Sequence, residues 1–413
     1  MKAIFTQLPL SNTLWVFVLA CIVHLALFGG GFWQEEYLPN SYDESRYVYY
    51  GQEIRAGRGM HAPGYDDKPT AYVMPLFPLL IAAVGPDSLV KIRLAQLVIS
   101  GLVAVVTFWI ARHLYGEKIG WLAVLALLAN LGWLRQPGYI LTEPLFILLM
   151  TAAIGIIIYR PESWRWLAAA GALMGLAWLT RGAAFGALVF LFLYLWWRAG
   201  FIKTFMTGTI MLLVISPWII RNYRAFDAFV PVSTQSGNVV AGAYNDEVYK
   251  NPWGDGWINP DELYKGEVSE DFFNDEIRYN QFLAEKGREW ILENPEKLPK
   301  LMTAHFFGFI RPWPKITRSG VELAYELLSW SVGMLLLVYS LWITYKTHDQ
   351  AMLLMWLVTL GGFLTHMVFF AIPRYRLPYS PFFAILQAVA LWQLYKQYIQ
   401  KKTLVEAKPL QVS

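Results

Sequence analysis

The sequence predicts an all-α polytopic membrane protein with about ten spans, and three observations lead there. Charged residues fill only 15% of the 413 positions, against roughly 25% in an average soluble domain. The hydrophobic set reaches 56%, with 19 Trp and a mean hydropathy of +0.38. The apolar residues fall in runs close to the ~20 that a helix needs to cross a ~30 Å hydrocarbon core. The same figures exclude a disordered chain. They also exclude a soluble nucleic-acid binder, despite a sequence pI near 8.9. The single cysteine, Cys21, excludes a disulfide framework and any Cys-based zinc site.

The first span runs from Thr13 to Trp33, with Glu35 and Glu36 after it. It has no small-residue cleavage site in a polar setting, so it is expected as a retained helix and not a removed leader. The next runs are 89–111, 118–134, 140–159, 165–180, 183–198 and 203–220. A long polar stretch follows, then runs at 325–345, 351–371 and 377–395. The segment Tyr72–Val84 is apolar but too short to span, and is expected to re-enter or to lead into the second span.

Lys and Arg in short loops set the orientation. One side collects Lys2, Arg112, Lys118, Arg160, Arg165, Arg198, Lys203, Lys346, Lys396, Lys401, Lys402 and Lys408. The short loops of the other side hold only Arg135, Arg181, Arg374 and Arg376. The first side is expected to be cytoplasmic, in an inner (plasma) membrane, with segments 34–71 and 221–322 facing the exterior. The chain then divides into an N-terminal membrane module (1–220), an extracytoplasmic cap (221–322), C-terminal membrane helices (323–396) and a cytoplasmic tail (397–413).

Within segment 34–71, Tyr47, Tyr50 and Ile54 stand at i, i+3 and i+7, which predicts a short amphipathic helix on the membrane over 44–57. In the cap, Phe272, Phe273, Ile277, Phe282, Trp290 and Ile291 predict a helix over 271–293, ended by Asn294-Pro295. Residues 226–262 have no clear period and are expected as an ordered cap with a few strands.

Charges on the exterior side are the candidates for chemistry. From Glu35 to Lys68 the sequence holds seven acids against four bases. A carboxylate there can serve as a general base, or simply sit in a solvated loop with local ion pairs. Glu143, in Leu141-Thr142-Glu143-Pro144-Leu145, has the composition of an ordinary helix start. It is also an acid beside apolar lipid, a position that points to function, and could face Asp43 in a cavity. Arg181 is either an interfacial arginine that snorkels or a bidentate phosphate clamp. Lys68 offers a point charge for the same task. Arg374 and Arg376 again put cations where the positive bias does not require them. A carboxylate pair near such cations suggests an anionic, lipid-linked ligand. His24, His305 and His366 are expected to satisfy buried polar contacts. No HExxH, Walker, Rossmann or GxSxG pattern is present.

Taken together, the motifs resemble those of the GT-C membrane glycosyltransferases, in the bacterial branch related to the lipid A aminoarabinose transferase and to protein O-mannosyltransferases. Asp43-Glu44-Ser45-Arg46-Tyr47 is similar to that family's start of the first outer loop, and Asp67-Lys68-Pro69 to its acidic-Lys-Pro motif. Thr142-Glu143-Pro144, Leu179-Thr180-Arg181, Pro217-Trp218 and Arg374-Tyr375-Arg376-Leu377-Pro378 follow in matching order. The resemblance implies a GT-C fold, a polyprenyl-phosphate sugar donor and an extracytoplasmic acceptor. It implies Asp43 as the catalytic carboxylate, Glu143 as the second acidic site residue, and Lys68 with Arg46 as donor-phosphate contacts. Glu44, Tyr47, Asp67, Arg374, Tyr375 and Arg376 join as further site candidates. Asp67 and Glu143 depart from residues that relatives often carry there. The outer C-terminal domain of larger relatives is expected to be missing after the tenth span, which leaves the acceptor class open.

The chemistry expected is an inverting transfer, with Asp43 as base and Lys68, Arg46 and Arg181 stabilising the departing phosphate. A divalent metal ion bridging Asp43, Glu143 and phosphate is left open by the sequence. The rival readings are a lipid-linked saccharide flippase and a non-catalytic polyprenyl-phosphate binder. The near absence of acids within the spans disfavours the flippase.

Overall fold

The computed structural model describes residues 10–36, 38, 41–63, 68–254, 256–312 and 320–406. Asp67 lies outside them, as do Lys2 and Lys408. Fifteen helices carry the description: α1 Leu10–Phe28, α2 Ser41–Arg55, α3 Leu76–Val84, α4 Leu89–Tyr115, α5 Glu117–Leu128, α6 Glu143–Tyr159, α7 Trp164–Thr180, α8 Phe185–Ala199, α9 Phe201–Phe226, α10 Ser236–Ala243, α11 Glu276–Glu293, α12 Leu298–Ile310, α13 Gly320–Thr347, α14 Gln350–Val368 and α15 Ser380–Glu406.

Every predicted span is helical. Among the described residues seven helices are long and apolar enough to cross a membrane, or eight if one bent pair counts as a single span. This is a multi-pass membrane protein. The expected ten is not confirmed, because α6 and α7 have 17 residues each, short of the ~20 that a perpendicular crossing uses. The bent pair is α5 with Leu131–Gly138, which meet at 74°. Asn130 makes the corner: its side chain accepts from the Trp133 amide at 3.1 Å and caps the new turn.

The bundle closes through small residues. α7 lies against α9, where a Cβ on Gly171 would stand 2.5 Å from the Thr207 carbonyl oxygen. α8 meets α14 at Gly186 and Gly361, each of whose Cβ positions would stand 2.2 Å from the other's carbonyl oxygen. Close backbone approach of this kind is a principal source of helix association in lipid. Gly186→Leu is expected to force the α8–α14 seam apart at a cost of about 1–3 kcal/mol or more. The check is a lowered thermal midpoint in detergent; an unchanged midpoint would remove the seam from the stabilising set.

The second face of the bundle carries the helical cap, residues 226–312. Two sequence expectations change here. The helix over 44–57 exists as α2, and its apolar side packs against protein. Tyr50, Val48 and Glu53 are all buried, and Gly51 abuts Ile81 of α3. The helix over 271–293 is two helices, Glu270–Phe273 and α11, separated where Asp275 caps α11 by accepting from the Arg278 amide. Segment 226–262 contains α10 and shorter helical turns, and no strand occurs among the described residues. The apolar stretch 72–84 forms α3 and leads by a turn into α4, whose start is capped by Glu35 on the Ser88 hydroxyl and Leu89 amide, both at 2.7 Å.

Two arginines tie the cap face together through main-chain oxygens. Arg93, fully buried in α4, donates to the carbonyls of Gly138, Phe32 and Gln34. Arg221 in α9 donates to the carbonyls of Thr70 and Met60. Glu276 in α11 accepts from the Ala71 amide and the Thr234 hydroxyl, which binds the cap to the first inter-helix segment.

Candidate active site

Four elements converge beneath the cap. Asp43 lies in the first turn of α2, where the helix N-terminus favours an acid. Successive helical residues point ~100° apart, so Asp43 and Glu44 diverge. Asp43 stays 41% exposed, while Glu44 is fully buried and accepts from the Ile140 amide at 2.8 Å. Glu44 therefore fixes the segment that leads into α6. Glu143 is the first residue of α6, with no side-chain exposure. Arg181 caps the C-terminal end of α7, where a cation is favoured. Arg374 stands in the turn Pro373–Tyr379 ahead of α15.

These charges form one chain of contacts. Arg374 grips Glu143 with two nitrogens, Nε to Oε1 at 2.5 Å and Nη2 to Oε2 at 3.3 Å. Its Nη1 donates to Asp43 Oδ2 at 3.1 Å. Arg181 Nη1 donates to Glu143 Oε1 at 2.9 Å and to the Thr142 hydroxyl at 3.3 Å. The exposed member is Asp43, and its Oδ1 has no partner among the described residues. Tyr47, one turn along α2 from Asp43, completes the wall against Phe77. Burial, with Asp43 and Glu143 beside it, pushes the Tyr47 hydroxyl well above its ordinary pKa. Tyr47 is thus a neutral hydroxyl under working conditions. Tyr375 stacks on His366 with ring centroids 4.5 Å apart and lies beneath the Arg181 guanidinium.

The expected candidates do not all meet here. Asp43, Glu143, Arg181, Arg374, Tyr375 and Tyr47 come together. Arg376 does not: it turns away to donate to the carbonyls of Phe309, Arg311 and Pro312, and lies over Trp330 at 3.8 Å. It acts as a third carbonyl tie. Arg46 lies over the Tyr72 ring at 4.2 Å. Lys68 sits beside the bridge between His61 and Pro69, and its carbonyl accepts from Ala62. His24 and His305 each contact a backbone carbonyl through Nδ1, while the Nε2 of each is buried without a partner among the described residues, and His366 stacks on Tyr375.

A cavity of about 740 Å³ adjoins the cluster between α5, α13 and α15. Its polar end is lined by Arg374, Arg376, Arg135 and Gln136, and its apolar end by residues such as Leu125, Val332 and Leu391, which reach the outer surface of the bundle. Sequence reasoning missed Gln136, which is buried with Oε1 unpartnered among the described residues. It also missed the pair of Arg135 with Glu322 at 3.1 Å. Only the fold brings Arg135 and Gln136 to one cavity with Arg374.

A divalent ion held by Asp43 and Glu143 does not fit this arrangement. Both oxygens of Glu143 are occupied by guanidinium groups, and Arg374 stands between the two carboxylates. Among the described residues no group of three or more His, Cys, Asp or Glu could hold a metal ion.

A family model described as dolichyl-phosphate-mannose-protein mannosyltransferase matches residues 67–220. The archaeal oligosaccharyltransferase AglB from Archaeoglobus fulgidus, in complex with an inhibitory peptide and a dolichol-phosphate, superposes with a TM-score of 0.54 at 14% identity, over 97% of this chain and 52% of that one. The same organism's enzyme tethered to an acceptor peptide gives 0.55 at 14% identity, over 95% and 50%. The chain has the GT-C fold. It spans about half the length of those oligosaccharyltransferases. ArnT from Cupriavidus metallidurans bound to undecaprenyl phosphate is also similar, at 17% identity over 92% of this chain and 77% of that one, with a TM-score of 0.41. No curated protein matches by sequence. The family match covers α3 to most of α9, including Glu143 and Arg181.

Proposed function

We propose that the protein is a membrane glycosyltransferase that moves a sugar from a polyprenyl-phosphate donor to an extracytoplasmic acceptor, with inversion. The observation that supports it most is the juxtaposition of a half-exposed carboxylate, two guanidinium groups locked on a buried partner, and an amphiphilic cavity that shares Arg374 with them. The fold and the family match point the same way. The cap face then faces the cell exterior, as the Lys and Arg distribution predicts.

In this reading the isoprenoid tail lies along the apolar wall of the cavity, where each buried CH₂ contributes about 0.8 kcal/mol. The acceptor hydroxyl or amine gives its proton to Asp43 as its oxygen or nitrogen bonds to the anomeric carbon. The bond from that carbon to the phosphate oxygen breaks, and its electron pair stays with the phosphate. The lipid phosphate is a good leaving group, so no strong general acid is needed. The N–H groups of Arg181 that Glu143 leaves free meet the charge that develops there, with Lys68 and Arg46 as the further phosphate contacts that the resemblance implies.

The test uses the purified protein in lipid nanodiscs with a panel of polyprenyl-phosphate sugars, following release of the lipid phosphate and arrival of sugar on the acceptor. Donor binding without sugar release across the panel would sink the reading in favour of a carrier-binding protein. Movement of intact donor across a bilayer would favour a flippase. A tail-site variant sharpens it. Ala126→Trp narrows the cavity and is expected to raise KM for a long-chain donor about tenfold, or ~1.4 kcal/mol. A short-chain donor should be unaffected; equal effects on both would move the tail elsewhere.

A further inference from the structure

We propose that Arg374 is the positioning cation of the site, holding Asp43 against Glu143 in the place a bridging divalent ion would take, so that chemistry at Asp43 needs no divalent metal. The argument starts from charge. Asp43 and Glu143 carry two negative charges, and Arg181 with Arg374 carry two positive ones, linked in one chain of contacts from Asp43 through Arg374 and Glu143 to Arg181. The cluster is already balanced. A divalent ion joining it would set two further positive charges beside two guanidinium groups in a poorly solvated pocket, where like charges repel strongly. A divalent ion replacing Arg374 would leave that guanidinium without its carboxylates.

Geometry supports the same role. A guanidinium is a planar fork of fixed donors, able to grip one carboxylate with two nitrogens and reach a second with the third. Arg374 does this, with Nε and Nη2 on Glu143 and Nη1 on Asp43. Its backbone is held on both sides. Pro373 precedes it, the Tyr375 amide donates to the Ile372 carbonyl at 3.0 Å, and Arg376 is tied to three carbonyls. Arg374 is therefore a fixed charge on a pinned turn. Asp43 Oδ2 is held by it, while Oδ1 faces no protein partner among the described residues and stays available to a ligand. Arg374 acts through Asp43; it is a positioning residue, not the base.

Two arms test this in nanodiscs, and only the second rests on the transfer proposed above. In the first, Mn²⁺ is titrated into wild type and Asp43→Asn and followed by electron paramagnetic resonance. The expected result is the same binding curve for both. One Mn²⁺ per chain in wild type that Asp43→Asn removes would overturn the proposal. In the second arm, wild-type transfer is expected to persist in excess chelator. Arg374→Ala should lose roughly 10²–10³-fold in kcat and regain part of it with added guanidinium ion, a rescue that a loss of fold would not allow. Arg374→Lys keeps one charge, guards against a folding failure, and should lower kcat with little change in donor KM. Loss of wild-type transfer on chelation with recovery on adding Mg²⁺ would overturn the proposal, as would an Arg374→Ala rate near wild type. A wild type that transfers from no donor would defeat the functional reading alone, and the Mn²⁺ arm would still decide the metal question.

Discussion

Asp43→Asn is expected to abolish sugar transfer while leaving the fold intact. A single well-placed base contributes roughly 10²–10⁴-fold to rate, and Asn cannot take the acceptor proton. The amide oxygen can still accept from Arg374, whose Nη1 now lies 3.1 Å from Asp43. Asp43 is 41% exposed, so the lost charge pair is worth at most about 1 kcal/mol of stability. Steady-state transfer and thermal melting of the same preparation check both halves. Near-wild-type transfer would take Asp43 out of the role of base. A collapse of the melting midpoint would make it a structural acid.

Glu143→Ala is expected to do the reverse in proportion, unsettling the molecule as much as the chemistry. Glu143 is fully buried and is the common partner of Arg181 and Arg374. Its removal leaves two arginines facing each other without their shared counter-ion. Breaking a buried pair from one side typically costs about 3–5 kcal/mol, which should appear as a large drop in thermal midpoint or a failure to accumulate. Glu143→Gln keeps an accepting oxygen and is expected to recover part of the stability but little of the transfer. A Glu143→Ala protein as stable as wild type would mean that the cluster contributes nothing to holding α6, α7 and the 373–379 turn together.

Much of this was legible in the amino-acid sequence. Run length and charge scarcity gave the membrane class and the position of every long helix, because the bilayer sets both. Asp43, Glu143, Arg181 and Arg374 stood out as charges without a topological reason, and the fold brings them within hydrogen-bond reach. What sequence could not supply was the direction of each side chain. Arg374 and Arg376 are two residues apart in one turn, yet the first joins the carboxylates and the second binds three carbonyls. Asp43 and Glu44 are adjacent, yet one is half-exposed against Arg374 and the other is sealed against Ile140. The apolar spacing of α2 did not disclose that Gly51 abuts Ile81, because burial against protein and burial in lipid select the same apolar residues. The strands expected in 226–262 failed for lack of any period to read there.

Arg93, Arg221 and Arg376 all hold their neighbours by main-chain oxygens. A guanidinium that binds carbonyls is indifferent to the side chains those residues carry. The positions around 32–34, Met60, Thr70 and 309–312 can therefore drift in sequence without losing their path. The arginines themselves cannot drift, because each one replaced frees two or three carbonyls at once. Divergence on this face should thus accumulate in what it displays and spare what anchors it. A scaffold built this way can be recognised by its backbone at 14% identity, long after its surface has been rewritten.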